Sequence, residues 1–432
     1  MGIHYITGRS GSGKTMQVYR EILRALERGD SRLILMVPEQ FTLQAERDLI
    51  QKLNLPGLLD VEVLSFSRLA HRVFNEVGGL TRIHINDQGR RMILRRLLDA
   101  LRDQLTVYKT VSRQNGFIDK MSDLLSDLKK HDITPEQMRR QAAELPSAGL
   151  LSGKLKDTAL IYEAFNHYLK DRYIDTEDAI NALIERMDHS RFLSGARIWM
   201  DGFDYYTPQT TRVMEKLAVL ARDLTITFTI GLDDAGRDQD IFRVHALSMQ
   251  KVRRIAQEYH REERFTHLTV PGDGPVQSKK APEIRHLERE LYHYPYQTYP
   301  DAVHHIEVFA GNHPESEVEN LAARIVSLSR EKGWRYNEMA VVSGDMDSYS
   351  GIVKRVFTEY GIPCFLDEKR PVIENPIVDL VLVSLRVVQR GYRYEDVFKL
   401  LKTGFCGLST DEVERLENYC LEFGIQGRGW QE

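Results

Sequence analysis

The sequence predicts an α/β protein of more than one domain, and three observations lead there. Short apolar, β-prone runs alternate with helical stripes, the pattern of a parallel sheet covered by helices on both faces. A glycine-rich stretch, Gly8-Arg9-Ser10-Gly11-Ser12-Gly13-Lys14-Thr15, separates the first such run from the first helix. The length, 432 residues, exceeds one ordinary core and leads to two to four domains.

The elements follow in order. Apolar strands are expected at Ile3–Thr7, Arg32–Val37, Val61–Leu64, Arg197–Met200 and Leu224–Ile230. Between about Ile85 and Arg191 the strand rhythm stops, and every periodic segment reads as helix. Met92, Leu94, Leu97, Leu98 and Leu101 form one stripe there, and Ile161, Phe165 and Tyr168 contribute to another. Two helices are expected after the fifth strand, at about Phe242–Tyr259 and Ala281–Tyr292, with a turn at Pro271-Gly272-Asp273-Gly274-Pro275. A second α/β pattern then begins. Its strands are expected at His305–Phe309, Met339–Ser343 and Pro363–Leu366, its helices at about Ser316–Lys332 and Ser348–Tyr360, and helix again beyond Asn375. The domain reading is a first α/β unit at 1–85 and 191–300, an all-helical insertion at 86–190, a partial second α/β unit at 301–375, and the start of another helical insertion at 376–432.

The glycine-rich stretch matches G-x-x-x-x-G-K-T and lies between a strand and a helix, the context a phosphate-binding loop requires. Glycines let the backbone wrap an anion, and the first amides of the following helix point at it. Gly8, Arg9, Ser10, Gly11, Ser12, Gly13, Lys14 and Thr15 are therefore the expected nucleotide-binding residues. Lys14 would lie on the β and γ phosphates of ATP, and Thr15 would join a Mg²⁺ shell. Asp201 closes the apolar run Ile198-Trp199-Met200, where a carboxylate at a strand end reaches the same ion. It is the candidate second Mg²⁺ ligand and the candidate catalytic carboxylate.

Composition sets the outer limits. Apolar content of 42% and charged content of 28% are those of a globular protein, with no run long enough to span a membrane and no secretory leader pattern. Cys364, Cys406 and Cys420 lack CxxC spacing, which fits a reducing cytoplasm. The net charge of −4 gives no overall signature of nucleic-acid binding, but Arg82–Arg140 holds 13 basic residues against 8 acidic ones. Phosphate contact through Arg90, Arg91, Arg95 and Arg96 and ordinary solvated helix faces both account for that excess. Phe41, Phe66, Tyr205 and Tyr206 follow strand ends, where aromatic rings stack on single-stranded bases.

The order of domains resembles superfamily 1 helicases of the UvrD type, in which RecA-like P-loop domains carry helical insertions. Local sequence is similar to the AddB side of AddAB-type helicase/nucleases. The stretches concerned are the loop at Gly8–Thr15, Val37-Pro38-Glu39-Gln40-Phe41-Thr42-Leu43-Gln44-Ala45-Glu46, Met200-Asp201-Gly202-Phe203 with Thr207-Pro208-Gln209, and His286-Leu287-Glu288-Arg289-Glu290-Leu291. Ile362-Pro363-Cys364-Phe365-Leu366-Asp367 and Leu416-Glu417-Asn418-Tyr419 continue it towards the end. The resemblance implies a RecA-like first domain, a partial second one, processing of double-strand DNA ends for recombinational repair, and pairing with an AddA-type partner that carries the main motor. It also implies that the nuclease carboxylates, arginine finger and iron–sulfur (4Fe-4S) cysteines of longer members fall beyond Glu432.

Three departures from the active helicase pattern bear on turnover. The position after Asp201, a water-activating glutamate in active motors, is Gly202. Asp204 and Glu39 are the nearby carboxylates in sequence that could substitute. No glutamine precedes the first strand, and Gly231-Leu232-Asp233-Asp234 does not reproduce the Gly-Asp-x-x-Gln sensor. Nucleotide binding with degraded hydrolysis is the expectation. A P-loop switch or kinase without a DNA role is the alternative.

Overall fold

The computed structural model describes residues 2–53, 57, 60–79, 82–146, 149–231, 239–269, 280–366 and 375–430. The chain divides into two compact units, Met1–Ile306 and Glu307–Glu432. The turn expected at Pro271–Pro275, most of Gly231–Asp234, and Asp367 lie outside the described residues.

The first unit opens with β1 (Gly2–Gly8), α1 (Lys14–Glu27), β2 (Leu33–Met36), α2 (Thr42–Leu53), β3 (Val61–Leu64) and α3 (Phe66–Val77). Then come β4 (Ile83–His84), α4 (Asp87–Leu101), α5 (Asn115–Lys130), α6 (Pro135–Glu144), α7 (Leu150–Leu169), β5 (Tyr173–Ile174) and α8 (Thr176–Arg186). It closes with β6 (Arg197–Met200), α9 (Pro208–Leu220), β7 (Asp223–Thr229), α10 (Gln239–Glu258), β8 (Glu262–His267) and α11 (Pro282–Glu290).

Six strands form one all-parallel sheet in the order β3-β2-β6-β7-β1-β8. β1 lies between β7 and β8, with Gly2 opposite both Asp223 and Glu262. Interior strands are covered on both faces, so they read as continuous apolar runs, and all four residues of β2 are buried. The two-residue alternation sorts them. Ile34, Met36, Ile198 and Met200 join α3, α8, α9 and α10 in one core, while Leu33, Leu35, Val63 and Trp199 meet α1 and α2 on the other face.

The expectation of five strands is corrected to six. β8 reads Glu-Glu-Arg-Phe-Thr-His and, among the described residues, pairs with β1 alone, so as an edge strand it shows solvent a charged pattern that hides its β character. Tyr5 stacks on Phe265 at 4.7 Å and anchors it. The expectation that all of Ile85–Arg191 is helical is corrected too, because β5 pairs in parallel with β4.

Between β3 and β6, helices α4 to α7 close their own core around Leu94, Leu98, Leu125, Ile161 and Phe165. α8 packs instead with the sheet, through Ala179, Ile180 and Leu183. The independent helical core thus runs from Ile85 to Leu169, and the chain from Ile174 onward already belongs to the sheet's core. On α4 the buried face is Arg90, Ile93, Leu94 and Leu98. Met92, expected in that stripe, is exposed, because it lies off the i, i+3, i+4 row that faces the core.

The second unit contains α12 (Pro314–Lys332), α13 (Met346–Glu359), α14 (Pro376–Gln389), α15 (Tyr394–Leu401) and α16 (Thr410–Phe423). α12 and α13 meet through Val318, Ala322, Ile325, Val353, Val356 and Phe357. The three strands expected here do not form: no strand is assigned among this unit's described residues. The segments have the alternation of strands, but a ladder needs a neighbouring backbone to satisfy its N–H and C=O groups. Val308, Val342 and Phe365 stand almost wholly in solvent. Phe309, Met339 and Leu366 help line a cleft of 1470 Å³ over α12 and α13.

Candidate nucleotide-binding site

β1 delivers Gly8 to the carboxyl edge of the sheet, and α1 starts at Lys14, so the eight-residue stretch is a strand-to-helix loop. Its tight turn is closed by the Ser12 amide donating to the Arg9 carbonyl at 3.2 Å. Gly11 and Gly13 have φ of +81° and +91°, the left-handed region where a side chain is strained. At Gly8 the limit is space rather than backbone: a Cβ there would lie 2.4 Å from Ser12 Oγ and 2.5 Å from the Leu268 carbonyl oxygen. Ser10, Gly11, Gly13 and Thr15 are exposed, whereas Ser12 is buried.

Lys14 Nζ donates to the carbonyls of Gly8 at 2.8 Å and Arg9 at 3.0 Å, folding the ammonium back over the loop. Burial lowers its pKa, and the Asp201 carboxylate partly offsets that, which places the two charges in one electrostatic neighbourhood. Asp201 is buried at the end of β6, its amide bonded to the Met36 carbonyl at 3.0 Å and its Oδ1 accepting from Thr227 Oγ1 at 2.6 Å. The Arg9 side chain is held between α10 and α11. Its Nε donates to Glu288 Oε1 at 2.8 Å and its guanidinium lies 5.1 Å from the centre of the Phe242 ring.

Gly202 has φ of +79°. A Cβ there would find ordinary space, 3.7 Å from Pro38 Cδ, so backbone conformation is what favours glycine. A glutamate would occupy left-handed backbone at a cost of about 1–3 kcal/mol. Glu39 and Asp204 are both exposed, and Asp204 faces His245, with Oδ1 3.7 Å from Nε2.

Other candidates separate clearly. Phe41 (49% exposed) and Tyr205 (64%) open to solvent after β2 and β6, adjacent strands, so both lie at the same carboxyl edge as the loop. Phe66 instead packs against Phe203, ring centres 5.4 Å apart, and Tyr206 is buried, so neither offers a free ring face. Arg90 is corrected outright as a surface contact. It is 5% exposed and its NH2 lies 2.9 Å from Glu177 Oε2, which also leaves Glu177 Oε1 for Ser126 Oγ at 2.5 Å. Arg91 and Arg95 keep about half-exposed side chains, but Arg91 pairs with Asp119 at 3.2 Å, and Arg95 donates to the Arg113 carbonyl at 2.8 Å. Of these three arginines, Arg90 and Arg91 are thus engaged by carboxylates and Arg95 by a backbone carbonyl.

Thr227, His245 and the pairing role of Glu288 are not legible in the sequence. Glu288 lies in a family-like stretch but 279 residues from Arg9, and nothing local couples them. His245 shares a helical face with Phe242 one turn earlier, the single sequence signal it carries.

Fold and site together define a parallel α/β domain with a glycine-rich strand–loop–helix turn at the carboxyl edge of its sheet and an inserted helical layer. The family model described as ADDB, N-terminal matches residues 5–288, and the chain belongs to that family. It is 48% identical over its whole length to the B subunit of an ATP-dependent helicase/deoxyribonuclease of Alkaliphilus metalliredigens. It is also 49% identical to the protein of that description from Alkaliphilus oremlandii and 38% identical to that from Acetivibrio thermocellus. In each case the match covers all of this chain and 38% of the relative, so the chain spans well under half the length of the curated relatives it matches.

Proposed function

We propose that this chain is the ATP-binding N-terminal part of a DNA helicase/nuclease subunit acting on double-strand ends in recombinational repair, with degraded ATP hydrolysis, in complex with an AddA-type partner. The observation that carries the reading is the conjunction at one sheet edge of a G-x-x-x-x-G-K-T loop, a buried Asp201 in the electrostatic reach of Lys14, and a glycine with positive φ at position 202. Residues 1–85 and 191–300 are read as a RecA-like domain, and the names of the relatives support DNA as the substrate and a second polypeptide in the complex.

The residues fit a nucleoside triphosphate with Mg²⁺. Gly11 and Gly13 turn the loop without side chains, and the helix amides after Gly13 present partial positive charge. Thr15 and Asp201 supply the oxygen donors that Mg²⁺ prefers. When bound, that ion neutralises phosphate charge. The chain's own groups bind and orient: Lys14 leaves its two carbonyls for phosphate oxygens, and Thr227 holds the Asp201 carboxylate in place. With glycine at 202, general-base assistance worth ~10²- to 10⁴-fold has no provider at that position.

The test is direct. Mg²⁺-ATP binds, EDTA weakens the binding, and steady-state turnover stays near background with or without single-stranded DNA. Turnover of several per second that disappears in Lys14→Ala would refute degraded hydrolysis.

DNA is assigned to the strand-end loops rather than to α4. Stacking on an aromatic ring contributes ~1–3 kcal/mol per base, so Phe41→Ala with Tyr205→Ala weakens single-strand binding about tenfold or more with little change in its salt dependence. Reversing Arg91 and Arg95 leaves affinity nearly unchanged. The opposite pattern would move the contact to the helical layer. Among the described residues no helix is long and apolar enough to cross a membrane.

A further inference from the structure

α10 brings a histidine to the nucleotide site that neither the loop motif nor the family resemblance includes. Two contacts fix the helix at that edge: Phe242 lies under the Arg9 guanidinium of the loop, and Lys251 Nζ donates to the Tyr206 carbonyl at 3.0 Å, just past β6. His245 falls between them, one turn from Phe242 and on the same face. Its side chain is mostly buried, and its Nδ1 is sealed from solvent with no hydrogen-bond partner among the described residues. Nε2 is the nitrogen left to meet a ligand. It points toward Asp204, yet 3.7 Å is too long for a hydrogen bond, and the Asp204 carboxylate is itself largely in solvent.

Asp204 follows Asp201 by three residues, so Nε2 lies on the side of the site where β6 ends. In the nucleotide reading that is the side of the Mg²⁺ ion and the phosphates it bridges, since Asp201, the candidate ion ligand, directly follows β6. Burial lowers the imidazole pKa; Asp204 opposes this and the Lys14 charge adds to it, so Lys14 and His245 feel one another. A mostly buried ring with an unused polar edge, within electrostatic reach of a folded-back lysine, is arranged for an anion.

We propose that His245 is a terminal-phosphate ligand, its Nε2–H donating to a γ-phosphate oxygen and distinguishing a nucleoside triphosphate from a diphosphate. The inference rests on the nucleotide-binding reading above and adds to it a residue that senses the third phosphate. The residue lies on α10, the helix that follows β7 and leads into β8, so it ties the occupied state to an element packed on the sheet.

The experiment compares Mg²⁺-AMP-PNP with Mg²⁺-ADP by titration calorimetry on the whole chain and its variants. His245→Ala is expected to weaken AMP-PNP about tenfold or more, the size of one hydrogen bond to a charged group, while leaving ADP within a factor of about two. Partial unfolding lowers the active fraction for both nucleotides alike, so the ratio of the two affinities is the readout. Should the alanine variant fail to fold, His245→Phe fills the same space without either nitrogen and gives the same readout. An unchanged ratio overturns the proposal while the nucleotide site stands. A chain that binds neither nucleotide, in wild type as in Lys14→Ala, overturns both.

Discussion

Lys14→Ala removes nucleotide binding while leaving the protein folded. Losing one charged donor to phosphate costs ~2–3 kcal/mol, or about 30- to 150-fold in affinity. The structure adds a second expectation. Burial lowers the lysine's pKa, so in the folded, nucleotide-free chain the charged ammonium opposes folding at every pH below its folded pKa. That opposition fades as pH rises through the folded pKa and is gone above the unfolded value. Near neutrality, therefore, Lys14→Ala melts no lower than wild type without ligand. The difference appears on adding Mg²⁺-ATP, because ligand at ~100 times the wild-type Kd stabilises wild type by ~2.7 kcal/mol and the variant by less than ~1 kcal/mol. A variant stabilised by Mg²⁺-ATP as much as wild type would show that Lys14 does not bind the nucleotide.

The other large effect lies in the helical layer. Arg90 and Glu177 are each 5% exposed and bonded at 2.9 Å, with Lys129 bonded to Asp175 at 2.7 Å and to Asp178 at 2.8 Å nearby. Removing one member of such a pair leaves the other charge buried and uncompensated, at ~3–5 kcal/mol. Arg90→Met lowers the melting temperature accordingly, and adding Glu177→Leu recovers most of the loss, since an apolar pair of similar volume is close to neutral. DNA affinity of the folded double variant stays at the wild-type value. A single variant with unchanged melting would mean that the pair is not buried in solution.

These two sites show what sequence can and cannot carry. The glycine-rich loop is legible because its chemistry is local: eight consecutive residues, a strand before and a helix after. Strand β2 is legible because burial on both faces makes it apolar throughout, and β3 and β6 because three of their four residues are apolar and buried. β8 hides because an edge strand is half solvated, and Glu262, Glu263 and Arg264 read as loop. The second unit errs in the opposite sense, since Val341 and Val342 have strand-like character but no neighbour supplies the other half of a ladder. Arg90 misleads because counting charges along a helix does not say which side they face. Two apolar neighbours, Ile93 and Leu94, set the phase that puts Arg90 inside and Met92 outside. Glu288 reaches the loop, and His245 the segment after β6, only through tertiary folding, across distances no local pattern spans.

The short parallel ladder of β4 and β5 has a consequence for the molecule's modularity. Ile83–His84 and Tyr173–Ile174 lie side by side, so the roughly ninety residues between them leave and return at one point and close their own core in between. Closing a loop costs only slowly more as it lengthens, so a layer tethered this way is free to grow, shrink or be exchanged without redrawing the sheet beneath. The strand order and the loop at Gly8–Thr15 are set by residues outside that gateway. Within one architecture, the layer is therefore the part where sequence can diversify, and the nucleotide edge the part it must leave alone.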